Sequence, residues 1–290
     1  MPTSNDARLP VFTLGAGAWR AEVFDPRPDP LALGPRYCHG SYVRALWRHD
    51  RLLTGRARPD WIPVDGEGLP EEFEVPFAFA GALDGEEFMR IGAGRQRRQG
   101  RGAADPKKLS SPVAWELIEQ DGRHVRMRSA DRLQQDQTVH AYELVREVRL
   151  HADGLDSVTT LTLHTPWSHP VEWFAHPFFR HSGADRTGFE LPGNPQIIGP
   201  LTKGADNLWR LPPRESLAAA VNLWGEAGPV VLHLDPELGG GRLSVQVDRP
   251  LDHLVLYCSD LVASPEGKIM RAWRDNETAT WTIRYRWEGD

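Results

Sequence analysis

The chain has 290 residues, 40% of them apolar and 26% charged, with 34 basic against 40 acidic side chains. That balance fits a globular protein and excludes collagen, coiled coil and a disordered chain. The net charge of −6 argues against a general phosphate-backbone binder, which would normally carry a basic excess.

The first eight residues read as a flexible tail, and residues 9–290 as one domain. The segment after Met1 has no apolar core, so no secretory signal is expected. No apolar run approaches the roughly 20 residues of a membrane helix. Cys38 and Cys258 form neither a disulfide framework nor a CxxC site, and both read as structural thiols. A reduced, cytoplasmic setting is the expectation. Nucleic-acid and membrane partners are not.

Period two dominates the chain. Val113 to Ile118, Asp121-Gly122 and His124 to Arg128 read as a β-hairpin, because Asp-Gly between β-rich runs suits a tight turn. Leu144 to Leu150, Asp153-Gly154 and Val158 to Leu163 read as a second. Residues 100–112 are rich in Gly, Lys and Ser and predict an exposed loop. Pro213 followed by Arg214 to Ala220 predicts a short helix. Val230 to Leu234, Leu243 to Val247 and Leu254 to Tyr257 are further strands, the first two separated by Gly239-Gly240-Gly241. Trp281, Ile283, Tyr285 and Trp287 alternate with Thr282, Arg284 and Arg286, as in a strand with one wet face. The pattern predicts an all-β antiparallel sandwich without tandem repeats.

The first cluster with chemical potential is Trp173-Phe174-Ala175-His176-Pro177-Phe178-Phe179. Aromatic rings offer an apolar platform to a sugar, and an imidazole offers a proton near neutral pH. A basic run follows Arg90 through Arg95, Arg97, Arg98 and Arg101 to Lys107 and Lys108. It reads as an anion clamp or as a solvated loop. Arg36-Tyr37-Cys38-His39-Gly40 and the acids Glu71, Glu72 and Glu74 complete the polar candidates. His164, His169, His176 and His181 lack the close pairing of a zinc site, so no metal is expected. Phosphate-binding and dinucleotide-binding loops and a serine elbow are absent from the sequence.

Val145 to Leu163, closing in Ala175-His176-Pro177-Phe178-Phe179, resembles the aldose 1-epimerase (galactose mutarotase-like) family. Leu69 to Glu74, Phe88 to Gly94 and Pro35 to Gly40, the last on an early strand, look like a divergent branch of it. So do Leu256 to Ser259, Ser264-Pro265-Glu266 and Asp275 to Trp281, together spanning roughly residues 10–287. The resemblance implies a galactose mutarotase-like supersandwich and no cofactor. It implies His176 as catalytic acid and Glu266, next to Pro265 and just before a turn, as catalytic base, with Asp260 as the fallback carboxylate. Anomer exchange needs such a pair: a base takes the C1 hydroxyl proton while an acid protonates the ring oxygen. Arg36, His39, Glu72, Arg95, Arg97, Trp173 and Phe178 are the expected substrate-binding residues.

The chain departs from the family at Ile91-Gly-Ala-Gly-Arg95, where well-characterised mutarotases carry a second His in a His-Gly motif. The expected ligand is a small-molecule carbohydrate, either free or anionic and phosphorylated, bound by a monomer or homodimer. A non-catalytic carbohydrate-binding protein on the same fold is the alternative. A carbohydrate lyase or hydrolase ranks last, since the chain leaves no room for the helical domain such enzymes usually add.

Overall fold

The long central strands follow from apolar residues at every second position. In Thr138–His151 and Gly154–His164 the buried and less buried residues alternate along most of the length. The computed structural model describes residues 9–56, 66–183, 186–212, 216–222 and 228–288. Over these residues the backbone forms four antiparallel sheets, and the only helix is the 3-10 turn Pro236–Leu238. The expected tail, residues 1–8, lies outside them.

Both Asp-Gly hairpins are present. Trp115–Gln120 pairs with His124–Gln135, and Thr138–His151 with Gly154–His164. With Glu277–Trp287 and Arg242–Val247 they form the centre of a ten-stranded sheet. A second sheet of seven strands carries Ser216–Asn222, His253–Ser259, Val262–Trp273, His169–Ala175 and Glu71–Phe73, in that spatial order. Trp281 of the large sheet meets Trp173, Phe73 and Trp273 of the second sheet edge-on, with ring centres 5.2, 6.4 and 6.1 Å apart. Offset T-shaped packing suits the quadrupoles of these rings, and it joins the two layers. The antiparallel sandwich predicted from periodicity is the architecture.

Two local expectations are corrected. Ser216–Asn222 is a strand, not the end of a helix; Pro213, Arg214 and Glu215 lie outside the described residues. Its backbone pairs with Gln196–Ile198 on one side and His253–Ser259 on the other, and this pairing outweighs the helix preference of its alanines. Pro35 to Gly40 is a run of turns, not an early strand. The amides of Cys38 and His39 bond singly to the carbonyls of Glu71 and Gly92, so the segment is tied across other elements. In the exposed 100–112 segment, two short strands return to pair with Gly94–Gln99.

The second sheet is apolar on both faces. One face holds Trp173, Ala175, Phe179 and Ala263 in the main core. The other holds Phe178 and Val262, covered by Leu9, Phe24, Leu33, Tyr37 and Tyr42. Because side chains alternate, residues 174, 176 and 178, and 262, 264 and 266, belong to this second face. There the candidate site lies.

A carboxylate, imidazole, carboxylate row on the sandwich

Val262–Trp273 is bordered on one side by two separate segments. His169 to Phe174 pairs with residues 268–273, and Phe179-Arg180 with residues 263 and 262. Residues 264–267 fall in the gap. A proline inside a sheet needs an interrupted ladder, and Pro265 has one here. The chain from Ala175 to Phe178 crosses this gap, which brings His176 to Glu266. Glu266 was expected near a turn; it stands mid-strand, opposite Val255.

His176 lies between two carboxylates. Its Nδ1 is 3.1 Å from Glu266 Oε1, and its Nε2 is 3.1 Å from Glu72 Oε2. The Nε2 approach is an ion-pair contact and not a hydrogen bond. Glu72 also accepts from Arg36 Nε at 3.1 Å. His176, Glu72 and Glu266 are all buried, whereas the Arg36 side chain reaches solvent. Rings enclose the imidazole. Phe174 tilts against it at 4.0 Å, Tyr37 meets it edge-on at 5.6 Å, and Phe178 stacks at 6.2 Å. Ser264 has a fully buried hydroxyl without a hydrogen-bond partner among the described residues.

Two glycines permit this enclosure. Gly66 has φ +92°, and a Cβ there would fall 2.5 Å from the Phe178 ring. Gly68, at φ +75°, has no room for a Cβ beside the Val43 and Arg44 carbonyls. Its own carbonyl accepts from Phe178 N at 2.8 Å.

Burial works against a charged imidazole at His176, yet Glu266 and Glu72 hold its pKa above the ordinary 6.5. Burial likewise works against the charge on Glu72. His176 and Arg36 outweigh it and hold that carboxyl below 4.5. The two carboxylates thus favour the protonated form of the buried imidazole.

A further layer supports the row. On Glu71–Phe73 successive side chains face opposite ways. Glu72 points to His176, while Glu71 points into the sandwich and ion-pairs with the buried Arg146. Glu71 also accepts from Ser157 Oγ at 2.7 Å, Thr159 Oγ1 at 2.9 Å and Trp173 Nε1 at 2.9 Å. On the site face, Lys268 lies over the Phe174 ring at 4.2 Å and bonds Glu74 at 2.8 Å and Glu172 at 2.9 Å.

Of the sequence-predicted residues, the structure brings together His176, Glu266, Arg36, Glu72 and Phe178. It keeps four others apart from the row. His39 is fully buried, with Nε2 2.6 Å from the Gly34 carbonyl, and burial lowers its pKa to about 4. Trp173 faces the main core and binds Glu71. Arg95 is held by Asp131 through two bonds of 3.0 and 2.5 Å, which fastens its hairpin to the large sheet. Arg97 is exposed and bonds the Gly85 carbonyl at 3.2 Å. Arg90 is the member of the basic run nearest the site: Nη1 bonds the Glu74 carbonyl at 3.0 Å, and Glu72 and Glu74 act on its charge. Asp260 is exposed at the end of its strand. The other three histidines of the 164–181 run occupy separate surroundings: His164 bonds Asn276, His169 packs on Phe77, and His181 approaches Cys258.

Sequence reasoning missed Lys268, and named Phe174, Tyr37 and Ser264 only as members of their motifs, not as site residues. Period two held the signal, since Phe174 shares a face with His176, and Ser264 and Lys268 share one with Glu266.

The same architecture is found among solved structures. One is an aldose 1-epimerase candidate of Escherichia coli K12, at TM-score 0.64 and 16% identity, over 96% of this chain and 99% of that one. Another is a protein of Synechocystis, at TM-score 0.63 and 13% identity, over 98% of this chain and 97% of that one. A third is a galactose mutarotase related enzyme of Lactobacillus acidophilus, at TM-score 0.60 and 12% identity, over 97% of this chain and 98% of that one. This chain thus has the galactose mutarotase-like fold. No protein-family model and no curated protein matches it. Among the described residues no helix is long and apolar enough to cross a membrane.

Proposed function

We propose that the protein is an aldose 1-epimerase-like isomerase that interconverts the anomers of a small carbohydrate. The observation that carries this reading is the buried row Glu72, His176, Glu266 on a mutarotase-like fold. Glu266 is the base that takes the C1 hydroxyl proton. Protonated His176 is the acid that gives a proton to the ring oxygen. The aldehyde turns, the ring closes, and both protons return. A sugar reaching His176 would take the Nε2 proton, which Glu72 meets as an ion pair without a hydrogen bond. Phe174 and Phe178 give its C–H face an apolar bed, and Arg36 gives its hydroxyls a donor.

The test is anomer exchange by NMR, with the purified protein and a panel of neutral aldoses, sugar phosphates and uronic acids. We expect accelerated exchange for one class. His176→Asn and Glu266→Gln should each slow it at least 100-fold, in proteins that still fold. Full activity in the His176 variant would overturn the acid assignment. A sugar that binds without faster exchange would favour a carbohydrate-binding role. The missing second histidine at residues 91–95 supports that alternative.

A further inference from the structure

A cleft of about 430 Å³ opens beyond Phe178 from His176. Its walls come from Val43–Arg48, the segment Leu52 to Arg56, and the turn from Arg180 to His181. The volume suits a small organic ligand. Three guanidiniums line it in a protein of net charge −6: Arg44, Arg56 and Arg180. Among the described residues Glu67 is the acid in the lining, 3.3 Å from Arg44 Nε and 3.5 Å from Arg56 Nε. Arg44 also reaches Glu22 at 3.4 Å.

Arg180 differs from the others. It is exposed, and its side chain has no hydrogen-bond or ion-pair partner among the described residues. Its stem lies over Gly55, where a Cβ would come within 2.8 Å of it. The nearby cation Arg51 acts on it with like charge. His181 gives the second observation. It lines the cleft at 5% exposure, and its Nδ1 is buried without a partner among the described residues. Its Nε2 is 3.5 Å from Cys258 Sγ. A buried polar atom without a partner is costly, and here it borders a cationic cleft.

We propose that this cleft binds the phosphate of a small phosphomonoester. Guanidinium forks match phosphate oxygens in pairs, and the clustered charge attracts a dianion more strongly than a carboxylate. Leu261 and Trp47 supply apolar surface for the organic part. Burial raises the pKa of Glu67, although Arg56 and Arg44 oppose the shift. The site is separate from His176 and does not depend on the proposed isomerase activity.

The test is calorimetric titration of the whole protein with inorganic phosphate, a hexose 6-phosphate and the same hexose without phosphate. Both phosphates should bind, the ester more tightly, and added salt should weaken both. Arg180→Ala should weaken phosphate at least tenfold, whereas His176→Asn should leave it unchanged. The ring resonances of His181 should move as phosphate is added to the wild-type protein, a readout that needs no variant. Absence of binding would overturn the proposal. So would binding that survives Arg180→Ala, or binding that only His176→Asn removes, which would put the anion in the other site.

Discussion

His39 and His176 are both buried, yet their protons behave in opposite ways. His39 meets only the Gly34 carbonyl, and burial takes its pKa down to about 4. His176 meets two carboxylates and is held above 6.5 against the same penalty. Removing those charges should make the second ring behave like the first. Glu72→Gln should lower the His176 pKa, and Glu72→Gln with Glu266→Gln should take it below 6.5, read from the ring resonances across pH. An unmoved pKa in the double variant would mean that the carboxylates do not hold the proton. Stability should follow the same charges. The His176 contribution is complete below 6.5 and is lost as pH rises through its higher folded value. The Glu72 contribution is present above 4.5 and is lost as pH falls through its lower folded value. The row thus stabilises most between those two limits, and His176→Asn should flatten the pH dependence of denaturant unfolding above about pH 6.5.

At the scale of the element, alternation decides which residues do chemistry. Glu71 and Glu72 are adjacent and were read together as one acidic cluster. The strand turns one into the sandwich and the other to His176. The inward carboxylate has the buried Arg146 as its partner, and the pair links the two sheets directly behind the site. Arg146→Met should therefore cost about 3–5 kcal/mol, because it leaves Glu71 charged and uncompensated. Adding Glu71→Leu should recover much of that loss, since an apolar pair of similar volume escapes the desolvation cost. Denaturant titration of the wild type and the variants checks both steps; a double variant weaker than Arg146→Met would refute the argument. Much of this level was legible in the sequence. The Asp-Gly hairpins and the Trp281 to Trp287 alternation marked strands, and the order of short motifs brought His176 and Glu266 forward. The failures have physical causes. Alanines in Ser216–Asn222 favour a helix only until two neighbouring strands claim the backbone. Arg95 looked available for ligand because Asp131, its partner, lies 36 positions away.

The whole molecule explains why charge counts along the chain misdirected the search for an anion site. The conspicuous basic run from Arg90 to Lys108 is largely taken up by structural partners: Arg95 holds Asp131 of the large sheet, Arg98 holds the carbonyls of Phe79 and Ala82, and Lys108 pairs with Asp105. The cationic cleft instead draws Arg44, Arg56 and Arg180 from distant positions, which only the fold brings together. The same long-range pairing bears on how the chain unfolds. The main apolar cluster draws residues from Leu14 to Tyr285 and from all four sheets. The last strand, Glu277–Trp287, is paired to Gly154–His164 and to Arg242–Val247. Among the described residues, these paired strands cannot leave the core without exposing the faces of their neighbours. We therefore infer that residues 9–290 act as one cooperative domain. The fluorescence of the 11 tryptophans, Trp173, Trp273 and Trp281 at the sheet interface among them, reports tertiary packing, and far-ultraviolet circular dichroism reports the strands. In urea the two signals should change together, with one midpoint and no plateau. Removing the last strand should abolish the transition rather than shorten it. Separate midpoints for the two signals would show that the sandwich divides, and the half that holds Glu72, His176 and Glu266 could then be tested alone.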